Sequence, residues 1–289
     1  MKTNTSKKKL IAIYLLSLFI GVFMSSCVID PYEDNRRNDV TASEDFSFRI
    51  DIKDQRRLEL YGINGAIEIY GTAQNLDFVE IRGVKKVDSD SRRDAEDFLR
   101  DVAVEITNQS DRIIVRTDQP AETRGRNVAV DYHICIPGNW RVTAENANGI
   151  VRVDSVANDV AVYLTNGELT LGVIDGDVDA NLTNGNIFLK DVFGSAKAES
   201  VNGNIDAQVI LPPNGEIRMG TTNGNVALSI PANTSADFSA STTNGGVSMS
   251  GLFLHNSRTS TNSMSGTLGT GDGGIVLGSV NGSIQVRGF

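Results

Sequence analysis

Cysteine is nearly missing from this 289-residue chain: Cys27 and Cys135 are the only two, so no disulfide framework can hold it together. Histidine is equally scarce. His133 and His255 lie far apart and show no H-x-x-x-H spacing, so no metal site is expected. Aromatic residues are 6% of the chain with one tryptophan, Trp140, which leaves few platforms for stacking on bases or sugars. Basic charge is in deficit, 27 Lys and Arg against 36 Asp and Glu for a net charge of -9, which argues against nucleic acid as a partner. No P-loop or dinucleotide fingerprint occurs; Gly269-Thr270-Gly271-Asp272-Gly273-Gly274 lacks the lysine and the following helix that a phosphate loop needs, and as a single copy it is no calcium-binding repeat either. No cofactor is expected.

Long apolar runs are also missing, with one exception from Leu10 to Met24. Lys2, Lys7, Lys8 and Lys9 precede it, Ser25, Ser26 and Cys27 follow it, and it falls short of the roughly 20 residues that span a bilayer. Residues 1–26 therefore read as a signal peptide. Met24-Ser25-Ser26-Cys27 resembles the lipobox of bacterial lipoproteins, with Met24 where Leu is usual. That resemblance implies cleavage before Cys27 and acylation of its thiol and new amine. Each buried methylene adds about 0.8 kcal/mol, so several acyl chains anchor the protein durably on a membrane it does not span. Val28 in place of Asp implies the outer membrane, facing either the periplasm or the cell surface, and the acids at Asp30, Glu33 and Asp34 lean toward the surface. Residues 27–45, polar and proline-bearing, read as a lipidated flexible tether.

What the chain has in abundance is Asn-Gly. The pair occurs at Asn148-Gly149, Asn166-Gly167, Asn184-Gly185, Asn202-Gly203, Asn223-Gly224, Asn244-Gly245 and Asn281-Gly282. The steps are 18, 18, 18, 21, 21 and 37 residues, the last suggesting one unit without its Asn-Gly, near Gly266 or Gly273. Apolar side chains stand at the second and fourth positions past each glycine, from Val151 and Val153 through Leu189 and Val226 to Ile284 and Val286. A period of two marks a strand with one buried face. A second strand precedes each corner, as in Val160-x-Val162-x-Leu164 and Ala196-x-Ala198, the small alanines leaving room for Phe193 or Met219. Both Asn and Gly tolerate the positive φ of a tight corner. Units of equal length place like above like, and stacked Asn side chains can form a hydrogen-bonded ladder along one corner. An all-β parallel β-solenoid over residues 141–289 is expected, with an antiparallel β-sandwich of hairpins as the alternative.

Residues 46–140 read as a β-rich N-terminal part continuous with the repeat, because Ile63-Asn64-Gly65-Ala66-Ile67-Glu68-Ile69 already has the pattern. Ala95, Phe98, Leu99 and Val102 predict one helix over 91–102 with Ser91 as N-cap. In Val128 to Ile136 alternate residues point inward and Cys135 falls on the other face with Asp131 and His133, a covered thiol with no partners for catalysis.

The Val79-Glu80-Ile81 segment, the short helix, Ile113 to Asp118, Val130 to Pro137 and the Asn-Gly units together resemble the DUF4097 group over residues 45–289. These are bacterial envelope proteins regarded as candidate adhesins and related to the DUF2807 group. This chain has Asn-Gly where that group often has Ser-Gly. The resemblance implies a right-handed β-helix-like fold and no established reaction.

Asp154, Asp175, Asp177, Asp179, Asp191 and Asp206 raise a glycan-cleaving enzyme as a lesser alternative. Their turn or outward positions favour solvated acids instead, so the chain is not expected to be an enzyme. Thr165, Thr183 and Thr222, each preceding an Asn-Gly, offer a row of hydroxyls to a glycan or to an envelope or host protein. A lipid-anchored binding or scaffold module follows as the expected role, either an adhesin outside the cell or an accessory protein on the periplasmic side.

Overall fold

The computed structural model describes residues 38–72 and 76–289. The signal peptide, Cys27 and most of the segment read as a tether lie outside the described residues.

Among the described residues 22 strands and one helix form. The register is parallel from coil to coil. Val178–Asn184 pairs with Val160–Leu171 on one side and Ala196–Asn202 on the other, with Asn184 opposite both Asn166 and Asn202. This is a β-solenoid, and it excludes the antiparallel sandwich. Each coil runs through a strand, an Asn-Gly corner, a second strand and a short third side. The inward residues of both strands close on a single core with Val156, Ile174, Val192 and Val209 from the third side, all buried. The two 21-residue units keep strand register and place their extra residues at that third side, in turns built on Pro212 and Pro231.

Asn-Gly at the corner answers two physical demands. Gly167 sits at φ +139°, and a Cβ there would lie 1.7 Å from the carbonyl oxygen of Gly149 in the coil below. No other residue type fits both the angle and the approach. The asparagines stack. In the series 64, 148, 166, 184, 202, 223, 281 and 244, each from Asn148 onward donates its side-chain N–H to the side-chain oxygen of the one before it, at 2.6–2.8 Å. Asn64 ends the ladder by donating to the Val128 carbonyl at 3.0 Å. A second column runs beside it, in which the oxygens of Asn186, Asn204 and Asn225 accept backbone N–H groups from the following coil at 2.8–2.9 Å.

That ladder shows the last two coils out of chain order. Gly273–Asn281 lies between Glu216–Asn223 and Ala236–Asn244, parallel to both, and Ile284–Gly288 lies between Val226–Ile230 and Val247–Ser250. The 37-residue step is therefore not a unit that has lost its Asn-Gly. After the Asn244 coil the chain makes an antiparallel hairpin, Leu254–Thr259 with Ser263–Leu268, against the outer edge of Ala236–Asn244, then threads its final coil back into the gap. Gly266 lies in the hairpin and Gly273 opens the threaded coil. The N-terminal end repeats the device: Arg57–Tyr61 and Ile67–Thr72 sit between the coil of Ile113–Asp118 and Asn127–Pro137 and that of Arg141–Asp154.

Three sequence expectations are corrected. The tether reading ran to residue 45, but Val40–Asp51 is a strand paired antiparallel with Phe78–Ser89 over all twelve residues. As an edge strand it buries only Ala42 deeply and keeps charges such as Glu44, paired with Lys85 at 3.2 Å, at the surface, so its alternation is faint. The helix is shorter than read, Arg92–Leu99, with Ser91 accepting from the Asp94 N–H as N-cap. It packs on Val40–Asp51 and Phe78–Ser89, with Ala95 and Leu99 buried, and Arg126 pairs with Asp94 while lying 4.7 Å from the centre of the Phe98 ring. Phe193 does not fill the space above the alanines, since it is 42% exposed; Met219, opposite Ala198, fills it. In the last coil Val247 and Met249 are only half-buried, because no further coil covers Val247–Ser250.

Candidate functional site

On the first face of the solenoid the outward residues line up from coil to coil. Glu145, Tyr163, Asn181, Glu199, Gly220, Gly278 and Ser241 form one row in strict register. The next outward row towards the corner contributes Thr165, Thr183, Val201, Thr222 and Val280. Between them runs an open groove of about 860 Å³, with inward-facing Asn146, Ser200, Thr221 and Ser279 at its floor. Seven strands at about 4.8 Å spacing make it roughly 29 Å long. The hydroxyl row anticipated from sequence, Thr165, Thr183 and Thr222, is one wall of this groove.

Gly220 and Gly278 create its depth. Unlike the corner glycines, neither has a positive φ, and a Cβ on either would meet nothing within 4 Å. They face each other across neighbouring strands and leave the backbone bare. Sequence reasoning passed over them; the available signal was a glycine at an outward strand position, where β-branched residues are the rule.

Tyr163, 41% exposed, forms a wall and donates its hydroxyl to Asp179 at 3.3 Å. Partial burial and then the charge of Asp179 raise its pKa above the usual tyrosine range. Asp179 also accepts from the Asn181 amide at 2.7 Å and pairs with Lys197 at 3.6 Å, and Lys197 lies 3.7 Å from Glu199. At one end Asn146 donates to the carbonyls of Gly65 and Asn148, both at 3.0 Å. Its side-chain oxygen is buried with no hydrogen-bond partner, facing Gly62, where a Cβ would stand 2.7 Å away. Among the described residues no lysine or arginine lines the groove, and its carboxylates are Glu145 and Glu199. Three strand steps put those two roughly 14 Å apart at the backbone, wider than the roughly 5–9.5 Å of a glycoside-cleaving pair.

The other sequence candidates are dispersed. Asp154 accepts from Ser155 at 2.7 Å, Asp177 accepts the Ser195 N–H at 2.8 Å, and Asp191 binds the Gln208 amide. Asp206 is exposed beside them on the second face, and Asp175 is exposed on the third side. Among the described residues no three His, Cys, Asp or Glu side chains gather as a metal site. His133 lies 3.2 Å from Glu68, and His255 packs edge-on against Phe253. Cys135 is a free, half-buried thiol whose pKa is raised by burial and by Glu80. The 269–274 loop wraps the Ser235 hydroxyl, which accepts the N–H groups of Thr270, Gly271 and Asp272 at 3.0–3.2 Å.

A family model, Toastrack DUF4097, matches residues 139–287, just over half of the chain. The chain belongs to the Toastrack DUF4097 family. The matched span begins just before Trp140 and holds every coil from Asn148 to the threaded Asn281 coil, so the groove lies almost wholly within the Toastrack region. The protein is also similar to solved structures: a candidate adhesin from Bacteroides fragilis at 10% identity and TM-score 0.43, covering 84% of this chain and 97% of that one. Another is a candidate cell adhesion protein from Clostridium sporogenes at 11% identity and TM-score 0.37, covering 86% of this chain and 100% of that one. No curated protein sequence matches. Among the described residues no helix is long and apolar enough to cross a membrane.

Proposed function

We propose that this Toastrack chain is a non-catalytic binding protein of the bacterial envelope, held on the outer membrane through lipid on Cys27 and engaging an extended ligand in the groove of its first face. The groove carries this reading: it is long, regular, rich in hydroxyls and floored by bare backbone. Paired strands fix the backbone from which the lining side chains project, which suits recognition without rearrangement. The anchor rests on the sequence of residues 1–27 alone. An adhesin at the cell surface and a scaffold facing the periplasm use the same groove on different partners.

Protease treatment of intact cells, following a tag at Phe289 with lysed cells as control, separates the two. Loss from intact cells supports the adhesin, and protection until lysis sinks it in favour of the scaffold. In the same cells Cys27→Ser should move the protein from the membrane to the soluble fraction. Membrane association with unaltered gel mobility would refute the lipid anchor.

A further inference from the structure

We propose that the ligand of the groove is a neutral, hydroxyl-rich glycan chain lying along the solenoid axis, with a sugar seated on the backbone at Gly220 and Gly278. This rests on the groove being the binding site.

Charge narrows the class first. With Glu145 and Glu199 in the lining and no Lys or Arg, a uronate, sulfate or phosphate chain would be repelled. The hydrogen-bond inventory narrows it further. Asn181 spends one of its two amide N–H groups on Asp179. The carboxylates accept only, and threonine hydroxyls accept as readily as they donate. Acceptors outnumber donors along the lining. A sugar chain supplies hydroxyl donors on every ring, whereas an extended peptide lying across the strands turns alternate N–H groups away.

The glycines complete the case. In a strand interior glycine costs on the order of 1 kcal/mol, and neither φ nor crowding demands it at Gly220 or Gly278. What the pair supplies is a notch where a flat ring reaches the backbone; the partly exposed ring of Tyr163, three strand steps or roughly 14 Å from Gly220, meets a different sugar of the chain.

The test uses the full chain in detergent micelles, an array of neutral α- and β-linked oligosaccharides with dextran, xylan, mannan and galactan, and alginate and polylysine as charged comparators. Gly220→Thr with Gly278→Thr fills the notch with strand-favouring side chains and should melt no lower than wild type. Thr165→Val with Thr183→Val keeps the shape of one wall and removes two of its hydroxyls. Binding to at least one neutral glycan and none to alginate, weakened tenfold or more by each variant, is the expected result. No binding to any neutral glycan overturns the glycan assignment; if polylysine then binds and the glycine variant abolishes it, the groove stands and the ligand class is wrong. Neutral-glycan binding untouched by both variants overturns the groove itself.

Discussion

The middle of the solenoid and its two ends obey different rules. From the Asn148 coil to the Asn223 coil, chain order and spatial order coincide, and each strand is paired on both sides by a copy of itself. At each end the chain steps outward, builds an edge cover of antiparallel strands, and leaves a coil threaded one position inside the stack. A parallel stack has exposed edges wherever it stops, and such edges invite pairing with other chains. The C-terminal hairpin blunts one, and Phe78–Ser89 with Val40–Asp51 blunts another. Ends are therefore made from different material than the middle, as repeat proteins require of their caps.

The sharpest test of that contrast is a charge in the core. Leu189→Asp, in the middle and 2% exposed, should cost on the order of 4 kcal/mol and unfold the domain cooperatively. Val247→Asp, in the half-covered last coil, should cost much less. Urea melts compare them, and equal losses would erase the distinction between covered and uncovered coils.

A smaller effect belongs to the N-terminal end. Tyr132 is buried against the Phe46 ring, shares a 2.7 Å hydrogen bond with Thr117, and has its pKa pushed by burial from 10.0 up to about 12. The folded chain keeps this proton after the unfolded chain has released it. Its contribution is thus complete below pH 10 and declines as pH rises from about 10 to about 12, by roughly 3 kcal/mol at most. Tyr132→Phe should lose about 1 kcal/mol at neutral pH with the hydrogen bond, yet fall less than wild type between pH 8 and pH 11. Parallel declines in the two proteins would show that the phenol is not the group responsible.

The ladder gives the smallest difference. Asn166 donates to Asn148 and accepts from Asn184, whereas Asn244, at the ladder's end, only donates to Asn281. Asn166→Ala should cost roughly 1–2 kcal/mol and Asn244→Ala no more than about 1. Thermal melts that rank them in the opposite order would make the ladder incidental to stability.

Much of this was legible beforehand. Val151, Leu189, Val226 and Ile284 could be placed in the core because a period of two admits one reading, and Ser91 could be named as a cap because its neighbours form the one helical stripe. The pairing of Val40–Asp51 could not be read, since its partner begins at Phe78 and an edge strand with one covered face shows little pattern. The threonine wall was visible as a row, but not that it bounded a groove, because the depth comes from the absent side chains of Gly220 and Gly278 in coils far apart in sequence.

The sequence by itself determined the repeat, its inward faces, and corners that demand glycine, because strand periodicity and positive φ are local demands met within one unit. Which unit lies beside which was decided only by the tertiary structure. One Asn-Gly coil can stack on any other, so local pattern is degenerate, and the lengths of the connections together with the need to cover open edges placed the Asn281 coil between those of Asn223 and Asn244.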